Sequence, residues 1–184
     1  MTFDCEDELD KVAEMCPHAS LVVRIRADDP TALVQLGGKF GADAVAQAPT
    51  LLAAAKLRNL DVVGVSFHVG SGSQAPEFYR AAIRAAQQVF VAGAALSYHF
   101  GLLDIGGGFH GHFTAGGAVD PAHVASEMNG ALADSFPRRQ FGHVEVIAEP
   151  GRFFAETCMT MFVMVHTVKT QPDGGRMYYI TDGA

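Results

Sequence analysis

The chain has 184 residues, 49% of them hydrophobic and 18% charged, a balance that excludes a disordered or fibrous polypeptide and provides for a real core. Its 20 acidic against 13 basic side chains leave a net charge of −7, which argues against nucleic acid or an anionic membrane surface as a partner. No apolar run is long enough to span a bilayer, and the acidic start MTFDCEDELDK is unlike a signal or transit peptide, so a soluble cytoplasmic protein is expected.

Residues 2–4 read as the end of a strand that leads into a helix. Leu21–Ile25 is a short β-branched run, and Asp29-Pro30 then supplies an N-cap and a proline at the first helical position, with Leu33, Val34 and Leu36 at helical spacing. A weaker strand at 44–46 precedes a second helix opened by Pro49, which carries Leu51, Leu52, Ala55 and Leu57 and ends near Asn59. Val62–Phe67 is a buried-type strand, and residues 76–92 form a long helix with Tyr79, Ile83, Ala86 and Phe90 on one face and Gly93 at C′. Leu102–Ile105 is the fourth strand, a glycine-rich loop follows, and a helix from Asp120-Pro121 carries Val124, Met128 and Leu132. Val144–Ala148 is the fifth strand.

Strands apolar on both faces, separated by helices, predict a parallel sheet covered by helices, either a β/α barrel or an open doubly wound sheet. After Arg152 the pattern changes to two strand-like stretches, 162–167 and 177–181, joined only by the turn QPDGG, which reads as the start of a β-rich domain. The predicted boundary lies between residues 155 and 156. Both ends of the chain read as cut through a fold. Cys5, Cys16 and Cys158 are odd in number and scattered, so they are expected to be reduced and mostly buried.

In parallel α/β folds ligands gather at the C-terminal ends of the strands. Three unusual loops fall there: His68-Val69-Gly70-Ser71-Gly72, Gly106-Gly107-Gly108, and Glu149-Pro150-Gly151-Arg152. The glycine triplet allows backbone N–H groups to approach a phosphate, although a tight turn would serve as well. Gly106, Gly108 and Gly111 formally satisfy a dinucleotide fingerprint, but the helix that should open on that loop begins only near residue 120. His68 is either a satisfied core histidine or a ligand-facing ring, and the spacing around Ser71 is not a nucleophile elbow, which disfavours a serine hydrolase. Glu149 and Arg152 form either a simple ion pair or a pair of ligand contacts, the carboxylate holding a proton on a ring nitrogen and the guanidinium clamping a phosphate. Pyridoxal 5′-phosphate needs both. His110 and His112 lack a regularly spaced third ligand, so no metal is expected.

SFHVGSG at 66–72, LLDIGGGFHG at 102–111, AEPGR at 148–152 and MYYITDG at 177–183, with VVRI at 22–25 and KFGA at 39–42, closely resemble the eukaryotic-type ornithine decarboxylases. These are pyridoxal-phosphate decarboxylases of the alanine racemase type of (β/α)8 TIM-like barrel. The resemblance covers essentially the whole chain. It implies a partial barrel followed by the first strands of a β-domain, a homodimer in the full-length protein, and decarboxylation of L-ornithine to putrescine in polyamine biosynthesis. His68 would stack on the cofactor ring; Ser71, Gly106, Gly107, Gly108, Gly151 and Arg152 would bind the phosphate end. Glu149 would pair with the pyridinium nitrogen, so that His68 and Glu149 are the residues expected to take part in catalysis. Arg24 and Lys39 match family positions inside the barrel.

The departures are equally specific. The family's Schiff-base lysine lies on the first barrel strand, and none of Lys11, Lys39, Lys56 or Lys169 matches its motif. The later cysteine-aspartate pair is also missing. The chain is therefore expected to be an internal fragment of a decarboxylase, inactive by itself, with too few βα steps to close an eight-stranded barrel of about 250 residues. The alternatives are a non-catalytic homologue of the antizyme-inhibitor type, which acts by binding the regulatory protein antizyme, a lysine, arginine or diaminopimelate decarboxylase, and, remotely, a phosphate-binding half-barrel without enzymatic history.

Overall fold

The computed structural model describes residues 1–112 and 119–182. Among them, β1 (Thr2–Phe3), β2 (Ser20–Arg24), β3 (Asp61–Ser66), β4 (Leu102–Asp104) and β5 (Glu145–Ile147) form one parallel sheet in the order β1-β2-β3-β4-β5. Each strand pairs with its successor and the order never reverses, as it must in a doubly wound sheet. The sheet is thus a sector of a β/α barrel. The helices between the strands are α1 (Glu6–Met15), α2 (Ala48–Leu57), α3 (Glu77–Ala95), α4 (Pro121–Ser135) and the short α5 (Arg138–Phe141), with α6 (Gly151–Ala155) following β5.

Strand alternation sorts the side chains into two sides. Val23, Val65 and Leu103 lie in register across β2, β3 and β4, are fully buried, and share one core with Leu52, Ile83, Ala86 and Val89 of the helices. The next residues, Arg24, Ser66, Asp104 and Ile147, are also in register and face the other side. Arg24, Ser66 and Asp104 thus form a polar row across β2, β3 and β4 at the C-terminal edge of the sheet. On the helix side, Phe90 meets Phe100, Phe136 and Phe141 edge-on at centroid separations of 5.3, 5.0 and 6.0 Å, which joins α3 to the segments around α4 and α5. Asp120 caps α4, its carboxylate accepting from the Ala122 N–H at 2.9 Å, ahead of Pro121. Asp120→Ala should destabilise the fold by about 1 kcal/mol and lower the thermal midpoint by a few degrees, read by circular dichroism; an unchanged midpoint would refute the cap's contribution.

Several expectations need correction. No helix follows Asp29: Thr31 N–H does donate to its Oδ1 at 2.7 Å, as a cap requires, but Leu33 N–H then turns to Gly72 O and Val34 pairs with Ser71 in an antiparallel bridge. Tertiary partners replace the helical ones. The strand expected at 44–46 is reduced to a bridge between Ala42 and Ile25, and the segment 43–47 is a turn in which the Asp43 carboxylate accepts from Val45 and Ala46 N–H groups. The sheet reaches five strands through β1, where residues 2–4 read as a strand end. Gly93 is not the end of α3 but a buried helical position where a side chain would strike the Phe100 ring; the left-handed residue beyond the helix is Ser97, at φ 62°. All three cysteines are exposed, Cys5 and Cys16 because they flank the two ends of α1.

After α6, β6 (Val165–Thr170) and β7 (Arg176–Ile180) form an antiparallel hairpin through Pro172-Asp173-Gly174, with Gly174 at φ 85°. Their side chains are exposed, including Tyr178 and Tyr179; Gly183 of the last motif lies outside the described residues. No helix among the described residues is long and apolar enough to cross a membrane.

Candidate active site at the strand ends

The loops after β3, β4 and β5 leave the sheet on one side and are stitched to one another by backbone hydrogen bonds. Phe67 N–H donates to Asp104 O at 3.1 Å, Ile105 N–H to Ile147 O at 2.9 Å, Glu149 N–H to Gly106 O at 2.9 Å and Ser73 N–H to Gly108 O at 3.0 Å. The three motifs that the sequence singles out therefore share one mouth.

His68 is partly buried, and its Nδ1 accepts the Gly70 N–H at 3.1 Å, which requires an unprotonated Nδ1. Burial and the positive charge of Arg24 hold its pKa below the ordinary histidine value, against an opposing pull from Asp104. The ring is thus a neutral plane of fixed orientation. Gly106 and Gly108 adopt left-handed φ values of 64° and 108° that glycine tolerates without strain. At Gly107 a Cβ would lie 2.6 Å from Glu149 O and 3.1 Å from His68 Nε2, and at Gly108 one would lie 2.5 Å from Gly70 O and 2.8 Å from the Tyr79 hydroxyl. The triplet runs through a space too narrow for side chains.

Arg152, in α6, reaches back across the mouth. Its Nε and Nη2 donate to Ser71 Oγ at 3.1 and 2.9 Å, while Nη1 meets Glu156 Oε1 at 2.9 Å. The second oxygen of Glu156 accepts the Gly111 N–H at 2.7 Å; that hydrogen bond, with Arg152, holds the carboxyl below its ordinary pKa. Of the two readings of Glu149 and Arg152, the simple ion pair does not form: Glu156, one helical turn on from Arg152, takes the guanidinium instead. Nor is Glu149 partly buried: its side chain is exposed, and its backbone N–H, held by Gly106, is what fixes it beside the glycine loop. Gly151 begins α6 in open space, so nothing in the packing demands a glycine there. His110 is partly buried with Nε2 unpartnered among the described residues, and His112 is exposed.

Three supporting residues escaped the sequence reading. Asp29 and Tyr79 are buried beneath the loops, and Glu156 balances Arg152. Tyr79 reads in the sequence only as a core residue of α3, yet its hydroxyl donates to Gly107 O at 3.1 Å and its ring stacks on Phe109 at 5.4 Å. Burial pushes its pKa well above the ordinary tyrosine value, so it stays a donor. Asp29 reads as a helix cap, and Glu156 carries no sequence signal beyond its i, i+4 spacing from Arg152.

A guanidinium beside a hydroxyl, a glycine cradle that side chains would fill and a neutral imidazole plane suit a phosphate ester of a flat heterocycle, as pyridoxal 5′-phosphate is. The comparisons with known proteins agree. Residues 1–156 match the family model described as pyridoxal-dependent decarboxylase, pyridoxal binding domain. The whole chain aligns with an ornithine decarboxylase of Panagrellus redivivus at 41% identity over 200 residues, covering 44% of that protein. It also aligns in full with an antizyme inhibitor 2 of Xenopus laevis at 39% identity, covering 41% of it. Among solved structures, the arginine decarboxylase of Paramecium bursaria Chlorella virus superposes with a TM-score of 0.82 at 38% identity, over 97% of this chain and 46% of the other. The chain thus spans about half the length, or less, of the curated relatives it matches. On the strength of that match and of a sheet, glycine cradle and arginine that suit the same cofactor, the chain belongs to the pyridoxal-dependent decarboxylase family, with the pyridoxal-binding domain at residues 1–156.

Proposed function

We propose that this chain is the cofactor-binding portion of a decarboxylase that converts L-ornithine to putrescine in polyamine biosynthesis. The observation that carries the reading is the convergence of Arg152 and Ser71 with the Gly106–Gly108 cradle and the His68 ring at one mouth. In this reading the barrel portion occupies residues 1–155, residues 156–184 open the β-domain, and the full-length protein is a cytoplasmic homodimer. The change from parallel sheet to antiparallel hairpin after α6 supports that division.

Arg152, Ser71 and the N–H groups of Gly107 and Gly108 would hold the phosphate, the guanidinium supplying the charge and the backbone the direction, whereas the Gly106 N–H is given to the Asp104 carboxylate at 2.8 Å and the Gly151 N–H to Glu149 O at 2.8 Å. His68, kept neutral and pinned by Gly70, offers its face to the ring without adding a second positive charge beside it. When bound, pyridoxal 5′-phosphate supplies an electron sink for the pair of electrons released as the amino acid's α-carboxylate leaves as carbon dioxide. Glu149 holds a proton at the ring nitrogen.

No lysine of this chain stands ready to anchor the cofactor covalently. Lys11 pairs with Glu8, Lys56 donates to Leu96 O at 2.7 Å, Lys39 lies over the Phe40 ring, and Lys169 is on the exposed hairpin. In this reading none of these four is the covalent anchor of the cofactor, and residues 1–184 by themselves are expected to bind it without decarboxylation. In the full-length protein, carbon dioxide release from L-ornithine, against L-lysine and L-arginine as competing substrates, tests the assignment. Glu149→Gln should lower turnover there roughly a hundredfold while sparing most cofactor affinity; unchanged turnover would refute the role given to Glu149. The second reading, a non-catalytic antizyme-binding homologue, is favoured by the likeness to an antizyme inhibitor. It requires antizyme capture without any decarboxylation.

A further inference from the structure

The Asp29 carboxylate is fully buried, takes no hydrogen bond from Arg152, Ser71 or the glycine triplet, and accepts four hydrogen bonds from two loops. Oδ1 takes the N–H of Thr31 at 2.7 Å and its hydroxyl; Oδ2 takes the Ser73 hydroxyl at 2.6 Å and the Gln74 N–H at 3.1 Å. Burial alone would raise its pKa, but the donors outweigh that and hold it below the ordinary aspartate value, so the group stays ionised. A buried carboxylate is costly unless every lone pair is used, and here both oxygens are.

The two loops so tied are those that frame Ser71. Asp29 N–H donates to Val69 O at 3.1 Å, Ser71 and Val34 exchange hydrogen bonds of 2.9 and 3.0 Å, and Ser73 N–H reaches Gly108 O at 3.0 Å. A single anchor thus holds the strand partner of Ser71 on one side and, through Ser73, the glycine cradle on the other. We infer that Asp29 is a positioning residue for phosphate binding, setting Ser71 and Gly108 at the separation the phosphate group requires; the inference rests on the assignment of these loops to the cofactor's phosphate.

The sign of the effect separates this role from electrostatics. Asp29→Asn removes a negative charge from beneath an anion site, which by Coulomb's law alone would strengthen anion binding. As an anchor it must do the opposite, because an amide accepts on only one of its two ends and so turns its NH2 against either the Thr31 N–H or the Gln74 N–H, a donor that, unlike a hydroxyl, cannot turn to accept.

The test is calorimetric titration of the full chain with pyridoxine 5′-phosphate and with pyridoxine, a pair that differs only in the phosphate and lacks the aldehyde that would react with lysines. Asp29→Asn should weaken the phosphate ester roughly tenfold and leave pyridoxine within about twofold. Ser73→Ala, which removes one hydroxyl and keeps the carboxylate, should shift the same ratio in the same direction and decides the matter if Asp29→Asn does not fold. Equal weakening of both ligands, or tighter binding of the phosphate ester, overturns the inference. Arg152→Ala is the control: if it too leaves the ratio unchanged, the phosphate assignment of the loops fails; if it changes the ratio and the Asp29 and Ser73 variants do not, only the anchor role fails.

Discussion

Arg152→Ala is expected to weaken pyridoxal 5′-phosphate binding by roughly a hundredfold, the loss of one to two charge-assisted hydrogen bonds of about 1.5–3 kcal/mol each. The guanidinium is the cationic group that spans from α6 to Ser71, and its Nε and Nη2 both converge on that hydroxyl. Arg152→Lys keeps the charge but not the planar fork and should fall between the two. The fold should hardly notice the change. The Arg152–Glu156 pair is about a third and a quarter exposed on its two sides, a setting in which ion pairs contribute little, and Glu156 retains the Gly111 N–H. Fluorescence titration alongside thermal melts separates the outcomes: an unchanged midpoint with lost affinity is expected, and affinity within twofold of the parent would remove Arg152 from the phosphate site.

What the sequence makes legible follows from how local each signal is. Strands β2 to β5 and helices α2, α3 and α4 stand out because their apolar spacing is set by one continuous core, and the Asp120-Pro121 start of α4 is found because a cap and a first-turn proline act within four residues. The same reasoning fails at Asp29-Pro30. The identical start signal is present, and the first capping bond even forms, yet Leu33 and Val34 find partners at Gly72 and Ser71 that lie nearly forty positions away in the chain. No local pattern can report that exchange. The site shows the same division: His68, Ser71, the glycines and Arg152 are marked by their place after strands, whereas the partner of Arg152 is decided by helix geometry that only the folded chain reveals. Glu149 is close in sequence to Arg152, but the start of α6 between them turns the guanidinium toward Glu156.

The glycine loop is where a single methyl group should do the most harm. Gly108 sits at φ 108°, a conformation that costs a side-chain-bearing residue on the order of 1–3 kcal/mol, and an added Cβ would also press on the Gly70 carbonyl at 2.5 Å and the Tyr79 hydroxyl at 2.8 Å. Neither neighbour can yield freely. Gly70 is backbone in the loop that bears Ser71, and Tyr79 is buried with its hydroxyl committed to Gly107 O. Gly108 O also receives the Ser73 N–H, so any relief of the clash drags the Asp29 anchor with it. Gly108→Ala should therefore destabilise the fold by about 2–3 kcal/mol and abolish measurable cofactor binding, whereas Gly101→Ala, where a Cβ meets nothing within 4 Å, should do neither. Urea melts and cofactor titration of the two variants read both effects. Should Gly108→Ala bind pyridoxal 5′-phosphate like the parent chain, the phosphate lies elsewhere than in the Gly106–Gly108 loop.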